Sequence, residues 1–141
     1  MIHRLINIPE KSSCFLFGPR QTGKTTLVNY LYTEKVFKVN LLLNQQFLKY
    51  SKNPDLIIQE VSRKIDDGTI QYLIIDEIQR VPSLLNAVQY IIDFYKVPCI
   101  LTGSSARKLK KGMANLLGGR AFQRFLFPFT WMEIKSFYSL D

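Results

Sequence analysis

The octapeptide from Gly18 to Thr25, Gly-Pro-Arg-Gln-Thr-Gly-Lys-Thr, constrains the fold of this chain more than any other segment. It matches the pattern G-x-x-x-x-G-K-[ST] (Walker A) in full, and this pattern requires a strand before it and a helix after it. Both are predicted here, because Cys14–Phe17 is a short apolar run and a helical period extends from Lys24 to about residue 32. The sequence therefore predicts a strand, a loop and a helix in direct succession.

A loop of this kind binds phosphate, because its glycines let many backbone N–H groups converge on the anion. The start of the following helix adds unpaired N–H groups and the positive end of its dipole. The Lys24 ammonium is predicted to bridge the β and γ phosphates of a nucleotide, and the Thr25 hydroxyl to bind Mg²⁺. Arg20 either contacts phosphate or is solvated, and Thr26 either stabilises the helix start or approaches the α-phosphate. The predicted nucleotide-binding residues are Gly18, Pro19, Arg20, Gln21, Thr22, Gly23, Lys24, Thr25 and Thr26.

Two acids, Asp76 and Glu77, follow the continuous apolar run at residues 72–75, which is typical of a central parallel strand. Ligands of α/β proteins bind at the carboxyl ends of such strands, so we expect this pair to face the phosphate loop. Asp76 is predicted to hold Mg²⁺, mostly through water. Glu77 is the next strand residue and should point the other way, where it can polarise an attacking water. The pair therefore favours hydrolysis in addition to binding.

A hydroxyl-rich segment at residues 102–105 follows the fourth predicted strand, residues 97–101. One of these hydroxyls can orient the water or sense the γ-phosphate, and Ser104 is our catalytic candidate; the alternative is a polar turn. Arg107 and Arg120 are the arginines best placed after that strand to reach phosphate, in the same chain or from a neighbouring subunit. Solvated surface is the alternative for both arginines.

Short apolar runs alternate with segments of helical period, which is the pattern of a parallel sheet covered by helices on both faces. The predicted fold class is therefore α/β with three layers. Thr130 and Glu133 form a capping box that starts a last helix, and the chain stops about three turns later, which favours a domain that continues. The other predicted elements are strands at residues 36–41 and 121–127, helices at residues 54–66 and from Pro82, and a basic, partly helical stretch at 106–117.

The charge balance, with 19 Lys and Arg against 11 Asp and Glu, favours a polyanionic partner: a nucleotide, a nucleic acid or an anionic membrane surface. Cys14 and Cys99 lie in apolar stretches and are predicted to be buried, reduced thiols. No apolar run reaches the roughly 18 residues that span a bilayer, and residues 1–10 lack the apolar core of a signal peptide, so we expect a cytoplasmic protein. A basic zone, either a nucleic-acid site or a solvated surface, contains Arg107, Lys108, Lys110, Lys111, Arg120 and Arg124.

Four segments, spread over nearly the whole chain, carry a resemblance to a known family. They are residues 18–27, residues 75–79 (Ile-Asp-Glu-Ile-Gln), residues 101–106, and the Leu-Gly-Gly-Arg-Ala of residues 117–121 before Pro-Phe-Thr at 128–130. Together they resemble prokaryotic AAA-type P-loop ATPases whose ATPase domain precedes a C-terminal domain of uncharacterised function. The resemblance implies a five-stranded sheet in the order 5-1-4-3-2, Glu77 as the water-activating acid, the end of strand four as a sensor, and Arg120 as a nucleotide-sensing candidate.

The sequence thus predicts that residues 1–141 are the core of an AAA-type ATPase, without the helical lid and the C-terminal domain that the resemblance implies. This core is expected to bind ATP and Mg²⁺ and to cleave the β–γ bond. Two alternatives stay open: a nucleotide-gated module that binds nucleic acid or protein with negligible turnover, and a small-molecule kinase. Self-association, a C-terminal partner domain or nucleic acid are the expected partners besides ATP, and a membrane is not.

Overall fold

The structure, a computed structural model, describes residues 7–20, 22–104 and 117–126. Its centre is a five-stranded sheet in which every strand pair is parallel. The strand order is β2-β3-β4-β1-β5, which in the reverse direction is 5-1-4-3-2. The predicted fold class and strand order are therefore confirmed. The strands are β1 (Cys14–Phe17), β2 (Val36–Asn40), β3 (Tyr72–Asp76), β4 (Cys99–Gly103) and β5 (Phe122–Phe125).

Strand β4 begins and ends two residues later than predicted. Pro98 has no N–H to donate, but its carbonyl accepts from the Leu73 N–H at 3.0 Å, so regular pairing with β3 starts only after it. At the other end the strand includes Thr102, which is buried within the sheet and does not begin a polar turn. This shift changes which hydroxyl lies beside the predicted acids.

The helices cover both faces of the sheet. One of them, at residues 44–52, was not predicted, because its sequence is mostly polar and Tyr50 is its only fully buried residue. The Tyr50 hydroxyl donates to Glu60 at 2.7 Å, which fastens this helix to the next. The helices are α1 (Lys24–Leu31), α2 (Asn44–Lys52), α3 (Leu56–Asp66) and α4 (Leu84–Tyr90), with a π-helical continuation at Ile91–Tyr95 and 3₁₀ turns at Ile78–Arg80 and Leu117–Gly119.

Side-chain alternation along the strands produces a core on each face of the sheet. In β1, Phe15 and Phe17 pack on the face covered by α3 and α4, whereas Cys14 and Leu16 pack on the face covered by α1. The sheet is therefore the middle of three layers, and its central strands are buried on both sides. This arrangement leaves the two edges formed by the strand ends as the places where polar side chains can gather.

Cys14 and Cys99 are both buried and free, as predicted. Burial raises the pKa of the Cys14 thiol to about 11, which keeps that thiol protonated and unreactive at neutral pH. Among the described residues, none of the helices has the length and apolar content needed to cross a membrane. Gln21, Arg107 and the helix predicted from Thr130 lie outside the described residues.

Candidate functional site

The carboxyl ends of β1, β3 and β4 meet at one edge of the sheet, which we call the carboxyl edge. The Gly18 N–H donates to the Gly103 carbonyl at 3.2 Å, so the loop after β1 is fixed to the end of β4. A cavity of about 350 Å³ opens at this edge. It is lined by Arg20, Gly23, Lys24, Thr25, Thr26, Leu42 and Glu77, which brings most of the predicted loop residues together with one of the two predicted acids.

The two loop glycines are needed for different reasons. Gly23 has φ 87° and precedes α1, a backbone conformation that side chains disfavour and that opens the N-terminus of the helix toward the cavity. Gly18 is packed against the residue that follows β5 instead: a Cβ there would lie 2.0 Å from the Leu126 carbonyl oxygen. The loop pattern predicted that both glycines serve the curl around phosphate, but at Gly18 the close approach of the Leu126 carbonyl already requires glycine.

Lys24 lies inside the loop rather than extending into solvent. Its ammonium donates to the carbonyls of Gly18 at 2.6 Å and Pro19 at 3.0 Å, and only 6% of the residue is exposed. Thr22 donates to the same Pro19 carbonyl at 2.8 Å. Burial lowers the pKa of Lys24, while the charges of Glu77 and Asp76 oppose that shift. The lysine therefore holds a positive charge at the floor of the loop and shapes the loop at the same time.

Asp76 is the last residue of β3 and is 3% exposed. One carboxylate oxygen accepts from the Thr102 hydroxyl at 3.0 Å, and the other lies 3.9 Å from the Lys38 ammonium. Burial raises the pKa of Asp76, with the Thr102 hydrogen bond and Lys38 acting in the opposite direction. This carboxylate is held in a low-dielectric position where a further cation would stabilise its charge.

Glu77 leaves the strand by a turn. Its φ of 62° and ψ of 51° place it in the left-handed region, which costs a residue other than glycine about 1 kcal/mol or more and is typical of functional sites. Its N–H donates to the Thr102 hydroxyl at 3.1 Å. We expected the two acids to point apart because they would be successive residues of one strand. Glu77 lies beyond the strand, and it is the turn at Glu77 that directs this residue to the cavity.

Thr102 therefore joins the two acids, a role that the sequence analysis did not assign to it. Its hydroxyl donates to the Asp76 carboxylate and accepts from the backbone N–H of Glu77. The hydroxyl of the preferred candidate, Ser104, is buried, has no hydrogen-bond partner among the described residues and does not line the cavity. Lys38 was also missed; the only signal for it is a single lysine within an otherwise mostly apolar strand. Gln79, which donates to the Glu77 carboxylate, had no signal beyond its place in the family-like segment.

Arg120 lies at the opposite edge of the sheet, where the strands begin, which we call the amino edge. Its guanidinium donates to Asp93 at 2.7 Å and to the Leu117 carbonyl at 3.1 Å. The Arg120 hydrogen bond lowers the pKa of Asp93. Arg120 also lines a second cavity of about 330 Å³ with Ser13 and Pro98, which precede β1 and β4. The structure therefore does not bring Arg120 to the phosphate loop of its own chain.

Comparisons with known proteins agree with this architecture. A family model described as an AAA domain matches residues 10–135. An uncharacterized protein of Haemophilus influenzae is 26% identical over 134 residues, covering 88% of this chain and 33% of the relative, so the chain spans about a third of that protein.

Two solved structures share the fold at low sequence identity. The structure of C. elegans PCH-2 aligns with a TM-score of 0.52 and 22% identity, covering 80% of this chain and 33% of that one. A chain in the structure of Drosophila ORC bound to AT-rich DNA and Cdc6 aligns with a TM-score of 0.53 and 12% identity, covering 92% of this chain and 58% of that one. At these identities the likeness concerns the fold.

Proposed function

The chain belongs to the AAA domain family, and from this premise we propose that it binds ATP with Mg²⁺ and hydrolyses the β–γ bond. Membership of the family supports nucleotide binding. One observation carries the finer proposal: Lys24, Thr25 and Glu77 line the same cavity, and Thr102 joins Glu77 to the buried carboxylate of Asp76. A phosphate-binding loop and a carboxylate that faces the same cavity are what hydrolysis of a nucleoside triphosphate requires.

The residues present fit a triphosphate and a magnesium ion. The left-handed Gly23 opens the start of α1 to the cavity, where backbone N–H groups and Lys24 can bind phosphate oxygens. Thr25 and Asp76 would hold Mg²⁺, an ion that keeps several waters and takes few protein ligands. Bound there, the ion would neutralise charge on the β and γ phosphate oxygens.

Glu77 is the residue that we assign to water activation. It faces the cavity from the turn after β3, whereas Asp76 is buried at the end of the strand. In the proposed reaction, a water attacks the γ-phosphorus in line with the bond to the leaving β-phosphate oxygen, and a carboxylate accepts the proton of that water. Ser104 stays a candidate for sensing phosphate at the end of β4.

Arg120 enters the proposal as a residue that acts between copies of the chain. In its own chain the sheet separates it from the phosphate loop, because it precedes β5 whereas the loop follows β1. We therefore assign any contact of Arg120 with nucleotide to the site of a second copy. Its guanidinium, bonded to the exposed Asp93, lies at the surface, where a second copy could reach it.

The replacement of Glu77 by Gln tests the proposed function. We expect Glu77→Gln to bind ATP with an affinity within about twofold of the wild type and to release phosphate at least about 100-fold more slowly, the usual size of a general-base contribution. Phosphate release and binding of a fluorescent ATP analogue are measured with Mg²⁺ on the full 141-residue chain. Glu34→Gln, on the exposed turn before β2, is the matched control and should match the wild type in both assays.

Equal phosphate release by the wild type and Glu77→Gln would contradict hydrolysis at this site. If such a protein still bound ATP, the nucleotide-gated binding module would be the better description. The net charge of +8 gives that alternative its support, since a polyanionic partner would then be expected. Binding to DNA or RNA that weakens with salt and depends on ATP would identify it.

A further inference from the structure

The side chain of Gln79 contacts the acid that we assign to water activation. Glu77 begins a 3₁₀ turn, Ile78–Arg80, that is closed by a hydrogen bond from the Arg80 N–H to the Glu77 carbonyl at 3.0 Å. The turn folds the chain back so that the Gln79 amide donates from Nε2 to Oε2 of Glu77. The left-handed backbone of Glu77 is therefore the conformation that places these two side chains against each other.

The orientation of the Gln79 amide follows from the charge of its partner. An ionised carboxylate can only accept hydrogen bonds, so the amide must turn its nitrogen toward Glu77 and its oxygen away. That oxygen, Oε1, is buried and has no hydrogen-bond partner in the described structure. It lies against the end of β4, where a Cβ on Gly103 would be only 2.9 Å away. The amide thus fills the space between Glu77 and Gly103.

Packing alone does not explain a glutamine at position 79, because only the nitrogen of its buried amide has a hydrogen-bond partner among the described residues. A buried polar atom without a partner destabilises a protein, and an apolar side chain of the same length would fill the same space without that penalty. Glutamine offers one thing that an apolar residue lacks here, which is the N–H donor directed at Glu77. Its presence is therefore better explained by the acid than by the core.

We propose that Gln79 is a positioning residue, which fixes the Glu77 carboxylate at the phosphate cavity through its side-chain amide. The proposal rests on the proposed function, because the effect of Gln79 on hydrolysis passes through Glu77. Gln79 does not line the cavity, so it acts on the acid and not on the nucleotide. Without the donor, the Glu77 side chain gains rotamers in which it no longer faces the attacking water.

The test is Gln79→Met, which keeps the length of the side chain and removes the donor. We expect kcat for phosphate release to fall roughly tenfold to a hundredfold, the range for losing a hydrogen bond to a charged group, with KM and ATP affinity within about twofold. Gln71→Met is the matched control, since it makes the same chemical change on an exposed residue before β3, at the amino edge. The control should leave kcat and KM at wild-type values.

A double-mutant comparison separates positioning from a general structural role. If Gln79 acts through Glu77, Gln79→Met should add no further loss of kcat to Glu77→Gln, because the acid is already absent. A purely structural role would multiply the two losses. It would also weaken ATP binding and lower the Tm in proportion. Either of those results would overturn the proposal.

A second variant covers the case in which Gln79→Met does not fold. Gln79→Glu keeps the size and polarity and replaces the donor by a second carboxylate, so phosphate release should fall further than in Gln79→Met. Wild-type kcat in either variant, while Glu77→Gln is inactive, would overturn the positioning role and leave the proposed function intact. Equal phosphate release by wild type and Glu77→Gln would overturn both.

Discussion

The two edges of the sheet hold cavities of nearly the same size, about 350 Å³ at the carboxyl edge and about 330 Å³ at the amino edge. Basic residues line both: Arg20 and Lys24 at the first, and Lys11, Lys96 and Arg120 at the second. Volume and positive charge therefore do not distinguish the edges. The edges differ instead in how their charged side chains are held.

At the carboxyl edge one cation and one acid, Lys24 and Asp76, are buried and fixed. Lys24 is 6% exposed and bonded to loop carbonyls, and Asp76 is 3% exposed and bonded to Thr102. At the amino edge the side chains of Arg120 and Asp93 are 33% and 49% exposed, and their ion pair is one that solvent screens. Fixed, buried charges lose little freedom when a ligand binds, so we expect the carboxyl edge to be the better anion site.

The largest effect that the comparison predicts is the loss of nucleotide binding in Lys24→Ala. Removing a buried ammonium from the phosphate loop should raise the Kd for ATP about 100-fold, because hydrogen bonds to charged groups contribute up to roughly 3 kcal/mol. Lys96→Ala, which removes a lysine from the amino-edge cavity, should change the Kd less than about twofold. Titration with a fluorescent ATP analogue measures both. Equal losses in the two variants would mean that the edges do not differ as anion sites.

A second prediction compares glycines near the two edges. Gly18→Ala would place a Cβ 2.0 Å from the Leu126 carbonyl, and relieving that contact requires a backbone shift between β1 and β5. We expect the free energy of unfolding to fall by about 3 kcal/mol. Gly68, with φ 68° and open space around its Cβ position, should lose only about 1 kcal/mol on change to Ala. Urea denaturation monitored by circular dichroism measures both, and a Gly18→Ala protein as stable as Gly68→Ala would refute the close packing.

The smallest predicted effect is the change in stability when a carboxylate is replaced by an amide, and we expect it to have opposite signs at the two edges. The folded-state pKa of Asp76 is raised by burial, so its protonated form favours folding; that stability is present below the unfolded pKa and is lost as pH rises through the folded pKa. Asp76→Asn should therefore stabilise the nucleotide-free protein at pH 7 by about 1 kcal/mol, as is common when a functional charge is removed. The gain should disappear in acid, where Asp76 of the wild type is protonated.

Asp93→Asn is the matched change at the amino edge. Its hydrogen bond with Arg120 depresses the folded-state pKa, so the charged form contributes stability above the unfolded pKa, and this is lost as pH falls. We expect a slight destabilisation at pH 7, opposite in sign to Asp76→Asn. Thermal unfolding at pH 7 and in acid compares the two, and a destabilised Asp76→Asn would show that the charge of this carboxylate supports the fold.

Much of the fold could be predicted from local sequence patterns. The bounds of β1 agree with the apolar run before the loop, and α1 begins at Lys24 as expected. Helix α2 was missed because a mostly polar stretch shows no clear core face. The helix packs through a buried Tyr50 and a partly buried Phe47, and the Tyr50 hydroxyl donates to Glu60, ten residues away. The local sequence pattern predicts a helix or a strand where the residues of that segment themselves form the core.

The candidate site was predictable in part for the same reason. The loop and the acid pair are contiguous motifs, so Lys24, Thr25 and Glu77 could be named and placed at one edge of a parallel sheet. The pairing of Ile75 with Leu101 is what puts Asp76 beside Thr102, and no short segment contains that register. The sequence could not show that Thr102, and not Ser104, contacts the acids. Both hydroxyls follow the same apolar run, and only the strand pairing distinguishes them.

The sequence by itself determined the strand and the helix on either side of the candidate phosphate loop, because this local pattern is set by residues a few positions apart. Only the tertiary structure decided that Thr102 joins the two acids, that Gly18 is packed against the residue that follows β5, and that Arg120 lies at the amino edge. These facts depend on contacts between distant residues; Glu77 and Thr102 are separated by 25 positions. Such contacts are fixed by strand order and register, which exist only once the whole sheet has formed.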